Sequence, residues 1–281
     1  MKIRRSERLI DMTHYLETQP YRLIPLPFFA EKYQSAKSSI SEDIGILKHA
    51  FLANNIGYIE TLPGAGGGVM YTPGISQKQA EKYLVTLQQK LSDPQRILPG
   101  GYLYSSDIIG DPALLRQIGL LIATRYAGQK VDAVMTVATK GIPIAQSVAY
   151  YLNVPFVIVR RESKVTEGPT LSVNYESGSS SRVEKMELSK RSLPSGARVI
   201  AVDDFMKGGG TVSGMRNLIR EFAGELLGIS VLVDSSAQRK IDANLVTTLL
   251  NVQHLDVQAP ALEVGFGNYL QVTDFSRFTS N

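Results

Sequence analysis

The stretch Val199-Ile200-Ala201-Val202-Asp203-Asp204-Phe205-Met206-Lys207-Gly208-Gly209-Gly210-Thr211 decides how this chain is read. An apolar, β-branched run of strand length ends in two adjacent carboxylates. A lysine, three glycines and a threonine follow, and a helical pattern then covers residues 211–222. Glycines at a strand-to-helix turn let the backbone curl so that successive N–H groups point inward. The helix N-terminus adds positive character and Thr211 adds a hydroxyl, which together suit a phosphate monoester. Two carboxylates beside a phosphate cradle fit a ligand that is also a sugar, because carboxylates accept hydrogen bonds from a vicinal diol. The glycines do not follow the G-x-G-x-x-G spacing. Nor does the stretch end as a P-loop, because Met215 follows Gly214 where a lysine would be needed.

Working outward, apolar runs of strand length fall at 131–138, 154–160, 198–202 and 226–233, with helical patterns at 114–127, 144–152 and 211–222. Such alternation predicts an α/β unit with a mainly parallel sheet covered on both faces. Ligands in these sheets bind beyond the carboxyl ends of the strands, where the chemistry-bearing residues of this chain lie. Residues 162–193 break the pattern. They are polar, include Ser177-Gly178-Ser179-Ser180-Ser181, and read as a long structureless loop, either a functional lid or disordered.

Upstream the periodicity is helical. Leu9, Ile10, Met12 and Leu16 share one segment closed by Pro20, and a second short helix is expected at 27–33. The third has Ser35 as candidate N-cap and a stripe of Ile40, Ile44, Leu47, Ala50 and Phe51. Strands at 56–62 and 68–71, joined by Pro63-Gly64-Ala65-Gly66-Gly67, form a hairpin. Three helices and a hairpin are the order of a winged helix-turn-helix, which places one domain at 1–74 and a second at 75–281, opening with an amphipathic segment at 77–91. Lys37, Ser38 and Ser39 at the start of the third helix are short donors suited to phosphates and base edges, while Lys2, Arg4, Arg5 and Arg8 suit the flanking DNA backbone. Lys37, Ser38 and Ser39 equally suit a helix cap in a domain used for dimerisation.

Composition sets the outer bounds. The 281 residues allow two domains, and 43% hydrophobic with 20% charged residues is ordinary globular usage. The chain has no cysteine, which excludes disulfides, thiolate metal sites and a cysteine nucleophile. His14, His49 and His254 are scattered, so no metal site is expected. A net charge of +4 is too small to argue for nucleic acid. Residues 1–74 carry 8 basic and 7 acidic side chains, the remainder 22 and 19. No apolar stretch is long enough to span a bilayer and the first residues lack a signal core, so no membrane partner is expected and the expected compartment is the cytoplasm.

The 203–211 stretch closely resembles the ligand loop of type I phosphoribosyltransferases, which bind 5-phosphoribosyl-1-pyrophosphate (PRPP). Other matches follow in order along roughly the last two-thirds of the chain. Val137-Ala138-Thr139-Lys140-Gly141 resembles the pyrophosphate loop, Arg160 and Arg161 occupy the place of a basic pyrophosphate contact, and Ser172-Val173-Asn174-Tyr175 resembles the flexible lid. Tyr102 is a candidate to cover a sugar or base, though it also suits ordinary packing, and Phe205 lies inside the ligand loop but would as readily fill a hydrophobic gap. With a winged helix in front, and with Arg4-Arg5-Ser6-Glu7-Arg8 and residues 36–43 also matching, the whole chain resembles the purine operon repressors of Gram-positive bacteria. The resemblance implies a DNA-binding regulator of purine biosynthesis genes rather than an enzyme. It implies that operator binding is relieved by PRPP, bound together with Mg2+ and open to competition by purine nucleotides. It has no catalytic residue to assign. A homodimer on double-stranded operator DNA is the expected assembly. The alternative from a different class is an active purine phosphoribosyltransferase with a DNA-binding appendage; no segment reads clearly as its base pocket.

Overall fold

The computed structural model describes residues 3–64, 66–162, 165–176, 183–236, 241–258 and 261–279. Lys2, Ala65 of the hairpin tip, and residues 163, 164 and 177–182 of the polar segment lie outside the described residues.

The N-terminal part contains α1 (Arg5–Glu17), α2 (Leu26–Lys32) and α3 (Lys37–Ala53), followed by the antiparallel pair β1 (Gly57–Leu62) and β2 (Gly68–Pro73). Met12 and Leu16 of α1, Phe29 of α2, and Ile40, Ile44, Leu47 and Phe51 of α3 pack with Ile59, Val69 and Tyr71 in a small core of their own. Ile10, read with the apolar stripe of α1, instead stands 72% exposed. It lies two residues from Met12, and neighbours at that spacing cannot share a helix face. Ser35 does not cap α3. The cap position is Ala36, and Ser35 Oγ donates to the Tyr33 carbonyl and accepts from Arg8.

Arg8 departs from the sequence reading more consequentially. It is 7% exposed, and its Nε donates to Asp43 Oδ2 at 2.5 Å. Arg5 Nε donates to the other oxygen of Asp43 at 2.8 Å and its Nη2 to Glu42 at 3.3 Å. Arg8 is therefore spent on bolting α1 to α3, and it leaves the candidate DNA face for that reason. Arg5 is half engaged in the same way, while Arg4 at the start of α1 and Lys37 and Ser38 at the start of α3 are exposed.

The larger part opens with α4 (Gln77–Leu91), the short strands β3 (Ile97–Leu98) and β4 (Tyr102–Leu103), α5 (Ser106–Gly110) and α6 (Pro112–Arg125). Next come β5 (Ala133–Val137), α7 (Gly141–Leu152), β6 (Phe156–Val159), β7 (Thr170–Glu176) and β8 (Val183–Ser189). The chain then forms β9 (Arg198–Met206), α8 (Gly210–Glu221), β10 (Glu225–Asp234), β11 (Val246–Asp256), β12 (Ala261–Phe266) and α9 (Tyr269–Val272). Six strands make one sheet in the order β12-β11-β10-β9-β5-β6, parallel throughout except for the antiparallel β12 at one edge. Residues of α4, α6 and α7 cover one face. Met215, Leu218 and Ile219 of α8 cover the other, together with the β7–β8 hairpin.

That hairpin corrects the reading of 162–193 as structureless. Residues 170–176 pair in register with 183–189, and Tyr175, Met186 and Leu188 are buried in the core with α8. Leu171, Val173 and Tyr175 alternate with polar residues, the half-buried strand pattern, and the surrounding polar composition concealed it.

Asp43 is fully buried between two arginines, so removing it strands Arg8 without a counter-charge. Asp43→Ala is expected to cost about 3–5 kcal/mol of stability in the N-terminal domain, measured by denaturant unfolding. Loss of less than about 1 kcal/mol would show that the pair does not hold α1 to α3.

Candidate functional site

Between β5 and β9 the chain changes direction across the sheet: β5 leads through α7 to β6 on one side, and β9 leads through α8 to β10 on the other. Such switch points leave a crevice at the carboxyl ends of the two strands. A cavity of about 610 Å³ opens there. Its floor is Asp203 and Asp204 at the end of β9. Its walls are the loop after β5 with Ala138, Thr139 and Lys140, the loop into α8 from Lys207 to Thr211, Arg161 after β6, and the β3–β4 turn with Leu98, Pro99, Tyr102 and Leu103.

The glycine loop folds as its composition requires. Gly209 caps α8 with φ of 79°, in the left-handed region open to glycine at little cost, so α8 starts at Gly210 and its first residues, Gly210 and Thr211, line the cavity. Gly208 takes no part in the lining: its N–H donates to Ser236 Oγ at 2.9 Å, and Ser236 N–H in turn donates to Asp234. Gly141 also lies beneath the cavity rather than in its wall. A Cβ there would stand 2.1 Å from Thr136 Oγ1 and 3.1 Å from Asp203 Oδ1, so only glycine lets α7 start this close to the carboxylate.

Asp203 and Asp204 reach the cavity but are otherwise ringed by protein. Burial raises the pKa of Asp203 well above the usual carboxylate range, and the neighbouring Asp204 charge adds to this. Burial raises Asp204 as well, opposed by the Lys140 ammonium and by Ser105 Oγ, which donates to Asp204 Oδ2 at 3.3 Å. The Asp204 N–H donates to Asp203 Oδ1 at 2.9 Å, which fixes the two carboxylates relative to each other. On the opposite side, Lys207 Nζ donates to the Gly100 carbonyl and lies 5.2 Å from the centre of the Tyr102 ring. Tyr102 and Phe205 stand 5.6 Å apart at 45°, an aromatic edge to the cavity.

Most of the residues singled out from sequence converge here: Tyr102, Ala138, Thr139, Lys140, Arg161 and, from the loop, Asp203, Asp204, Phe205, Met206, Lys207, Gly209, Gly210 and Thr211. Three side chains do not. Arg160 turns away to donate to Glu167 at 3.1 Å, because successive residues at a strand end point to opposite faces. Ser172 is exposed on the hairpin, and Tyr175 packs on α8 with its hydroxyl donating to Glu184 at 2.6 Å. Arg161 shares that Glu184, at 3.3 Å, so the hairpin touches the site through an ion pair instead of through the tyrosine. The sequence reading missed Ser105, the Leu98–Pro99–Leu103 wall and Ser236. Gly100-Gly101 marked a turn at the wall; nothing local marked the two serines. Among the described residues no group of three His, Cys, Asp or Glu side chains could hold a metal ion. None of the described helices is long and apolar enough to cross a membrane.

A glycine-cradled helix N-terminus beside two carboxylates on a parallel sheet is the architecture of the phosphoribosyltransferases. The adenine phosphoribosyltransferase of Rhodothermus marinus superposes on 61% of this chain and 99% of its own with a TM-score of 0.54 at 24% identity, which shows the shared fold. The family profile described as "Phosphoribosyl transferase domain" matches residues 105–265, and that of "Bacterial purine repressor, N-terminal" matches residues 4–73. The class is thus a DNA-binding domain joined to a phosphoribosyltransferase-type domain.

Full-length relatives narrow it further. The chain is 55% identical over 269 residues to the probable purine biosynthesis transcriptional regulator PurR of Streptococcus pneumoniae, covering 95% of this chain and 98% of that protein. It is 51% identical over 273 residues to the purine biosynthesis transcriptional repressor PurR of Bacillus subtilis, covering 96% and 95%. It is 49% identical over 268 residues to the purine biosynthesis transcriptional activator PurR of Lactococcus lactis, covering 95% and 98%. The chain belongs to the family of purine biosynthesis transcriptional regulators. Those relatives are named as regulators, not enzymes.

Because the folded pKa of Asp203 is raised, its contribution is full below the unfolded carboxylate pKa and is lost as pH rises through the folded value. Asp203→Asn keeps an acceptor for the Asp204 N–H and removes the buried charge. The variant is expected to melt about 2–4 °C above wild type at pH 8, with the gap closing toward pH 4, followed by calorimetry. A variant less stable than wild type at pH 8 would contradict this electrostatic reading.

Proposed function

We propose that this chain is a DNA-binding regulator of purine biosynthesis genes whose operator affinity is lowered when PRPP occupies the cavity. The observation that carries the reading is the convergence on one cavity of the α8 N-terminus, the carboxylate pair and three cations, Lys140, Arg161 and Lys207, from separate loops. The amides of Gly210 and Thr211 with the Thr211 hydroxyl suit the 5-phosphate. Asp203 and Asp204 suit the ribose 2- and 3-hydroxyls. The loop of Thr139 and Lys140, faced by Arg161, suits the diphosphate. Magnesium fits the same donor set, since a hard cation takes phosphate oxygens with one or two carboxylates and keeps several waters. Purine nucleotides would compete through the same 5′-phosphate cradle, with Tyr102 and Phe205 against the base.

At the other end, Arg4, Lys37, Ser38 and Ser39 are the proposed DNA contacts, with Arg5 in partial use. Lys37 and Ser38 stand exposed at the start of the helix that a winged fold lays into the major groove. A symmetric homodimer would place two such helices on paired half-sites. Relatives matched over 95–96% of this chain are named both repressor and activator, so the shared fold does not by itself set the sign of regulation.

The test is a mobility shift on purine operator DNA with and without PRPP and Mg2+. Wild type is expected to lose DNA as PRPP is added; Asp203→Ala and Asp204→Ala are expected to bind operator normally and ignore PRPP. Lys37→Ala is expected to weaken DNA binding and flatten the dependence of log affinity on log salt by about one unit. A wild type that binds operator equally with PRPP present would refute the effector role, and an unchanged salt slope would remove Lys37 from the interface.

A further inference from the structure

One helix of the larger domain has an end in each functional region. α7 begins at the cavity: Lys140 is its cap residue, and Gly141 rests on Thr136 and on Asp203 of the cavity floor. Its twelve residues carry it about 18 Å, at 1.5 Å per residue. It ends at Asn153, which holds φ of 55° and ψ of 45°, and whose side-chain Nδ2 donates to the Pro20 carbonyl at 2.9 Å. Pro20 belongs to the DNA-binding domain, in the turn that follows α1.

The turn that receives this contact is itself anchored to the wing. Tyr21 N–H donates to the Tyr71 carbonyl of β2 at 2.8 Å, and Ile24 bridges Val69 in both directions. The Tyr21 ring packs against the core of the larger domain, on the same cluster that takes Tyr151 of α7. Phe278, near the other end of the chain, lies against Gly74 just beyond the wing. α1, which leads into the turn, is the helix that Arg5 and Arg8 bolt to Asp43 of α3.

The middle of α7 cannot absorb a displacement at either end. Ile144, Ala145, Val148, Ala149 and Leu152 are buried against the sheet and α6, and Ser147 Oγ donates to the Leu115 carbonyl of α6. A close-packed helix moves as a unit, so a shift of Lys140 and Gly141 toward a ligand reaches Asn153 undiminished. From this geometry we infer that α7 is the element that couples the cavity to the DNA-binding domain, with Asn153 as its point of delivery on Pro20. The inference rests on the effector reading of the cavity given above.

The position offers a clean variant. Asn153 occupies the left-handed region, where glycine is at ease, so Asn153→Gly removes the amide without straining the helix end. The experiment measures operator affinity of the full-length protein with and without saturating PRPP and Mg2+, and PRPP affinity with and without operator DNA. The ratio must be the same in both directions, because coupling is reciprocal. Amide hydrogen exchange at residues 21–24, which follow Pro20, is monitored in parallel.

In Asn153→Gly, PRPP affinity without DNA is expected to equal that of wild type, while the coupling ratio falls about 2- to 30-fold. PRPP is expected to change exchange at residues 21–24 in wild type and to leave it unchanged in the variant. A variant that keeps the wild-type ratio would overturn the α7 route while leaving the effector reading standing. A wild type with a ratio of one overturns both.

Discussion

Two carboxylates are held at the end of a buried strand, where burial works against their charge, and much of the surrounding structure answers that constraint. The Asp203 carboxylate has the Asp204 N–H as a donor and a neighbouring carboxylate as its competitor. Within β9 itself only that N–H offsets the burial of Asp203. Compensation comes from three other elements: Lys140 at the start of α7, Ser105 before α5, and Arg161 after β6. On the proposed reading, the ligand brings hydroxyl donors to the carboxylates and phosphate charge to the cations. Binding then replaces an internally strained charge pattern with a matched one.

The glycine-rich loop solves a second problem with the same residues. Phosphate recognition through backbone amides needs them unpaired and pointed one way, which a regular helix supplies only at its first turn. Gly209 in the left-handed region ends β9 abruptly enough for α8 to begin at the cavity. Ser236, held by Asp234, takes up the Gly208 amide that would otherwise be left over. The loop is thus fixed from outside itself, by the segment that follows β10.

The join between the two domains has the character of a packed interface rather than a tether. Tyr21 of the smaller domain sits on the core of the larger one, and Ile75, immediately after β2, is already part of that core. On the proposed reading, occupancy of one domain alters the DNA affinity of the other, and that needs such contact, because a ligand shifts an equilibrium only through elements that differ between the two states.

What the sequence determined by itself was everything carried by local pattern. The strand ending in Asp203 and Asp204, the glycine turn and the following helix are contiguous, so one stretch of residues specifies the cradle, and strict apolar runs specify the parallel sheet around it. The helices and hairpin of the smaller domain were legible for the same reason. Only the tertiary structure decided which charged side chains are available. Arg160 and Arg161 are equivalent in composition, yet the alternation of strand side chains sends one to Glu167 and the other to the cavity. Arg5 and Arg8 look like a basic patch until Asp43, 35 residues beyond Arg8, is brought between them. The β7–β8 hairpin was obscured because its strands bury a single face, against α8, and an apolar residue at every second position carries little weight in a polar segment. Charge and half-buried pairing depend on partners distant in the chain, and those partners exist only once the fold has formed.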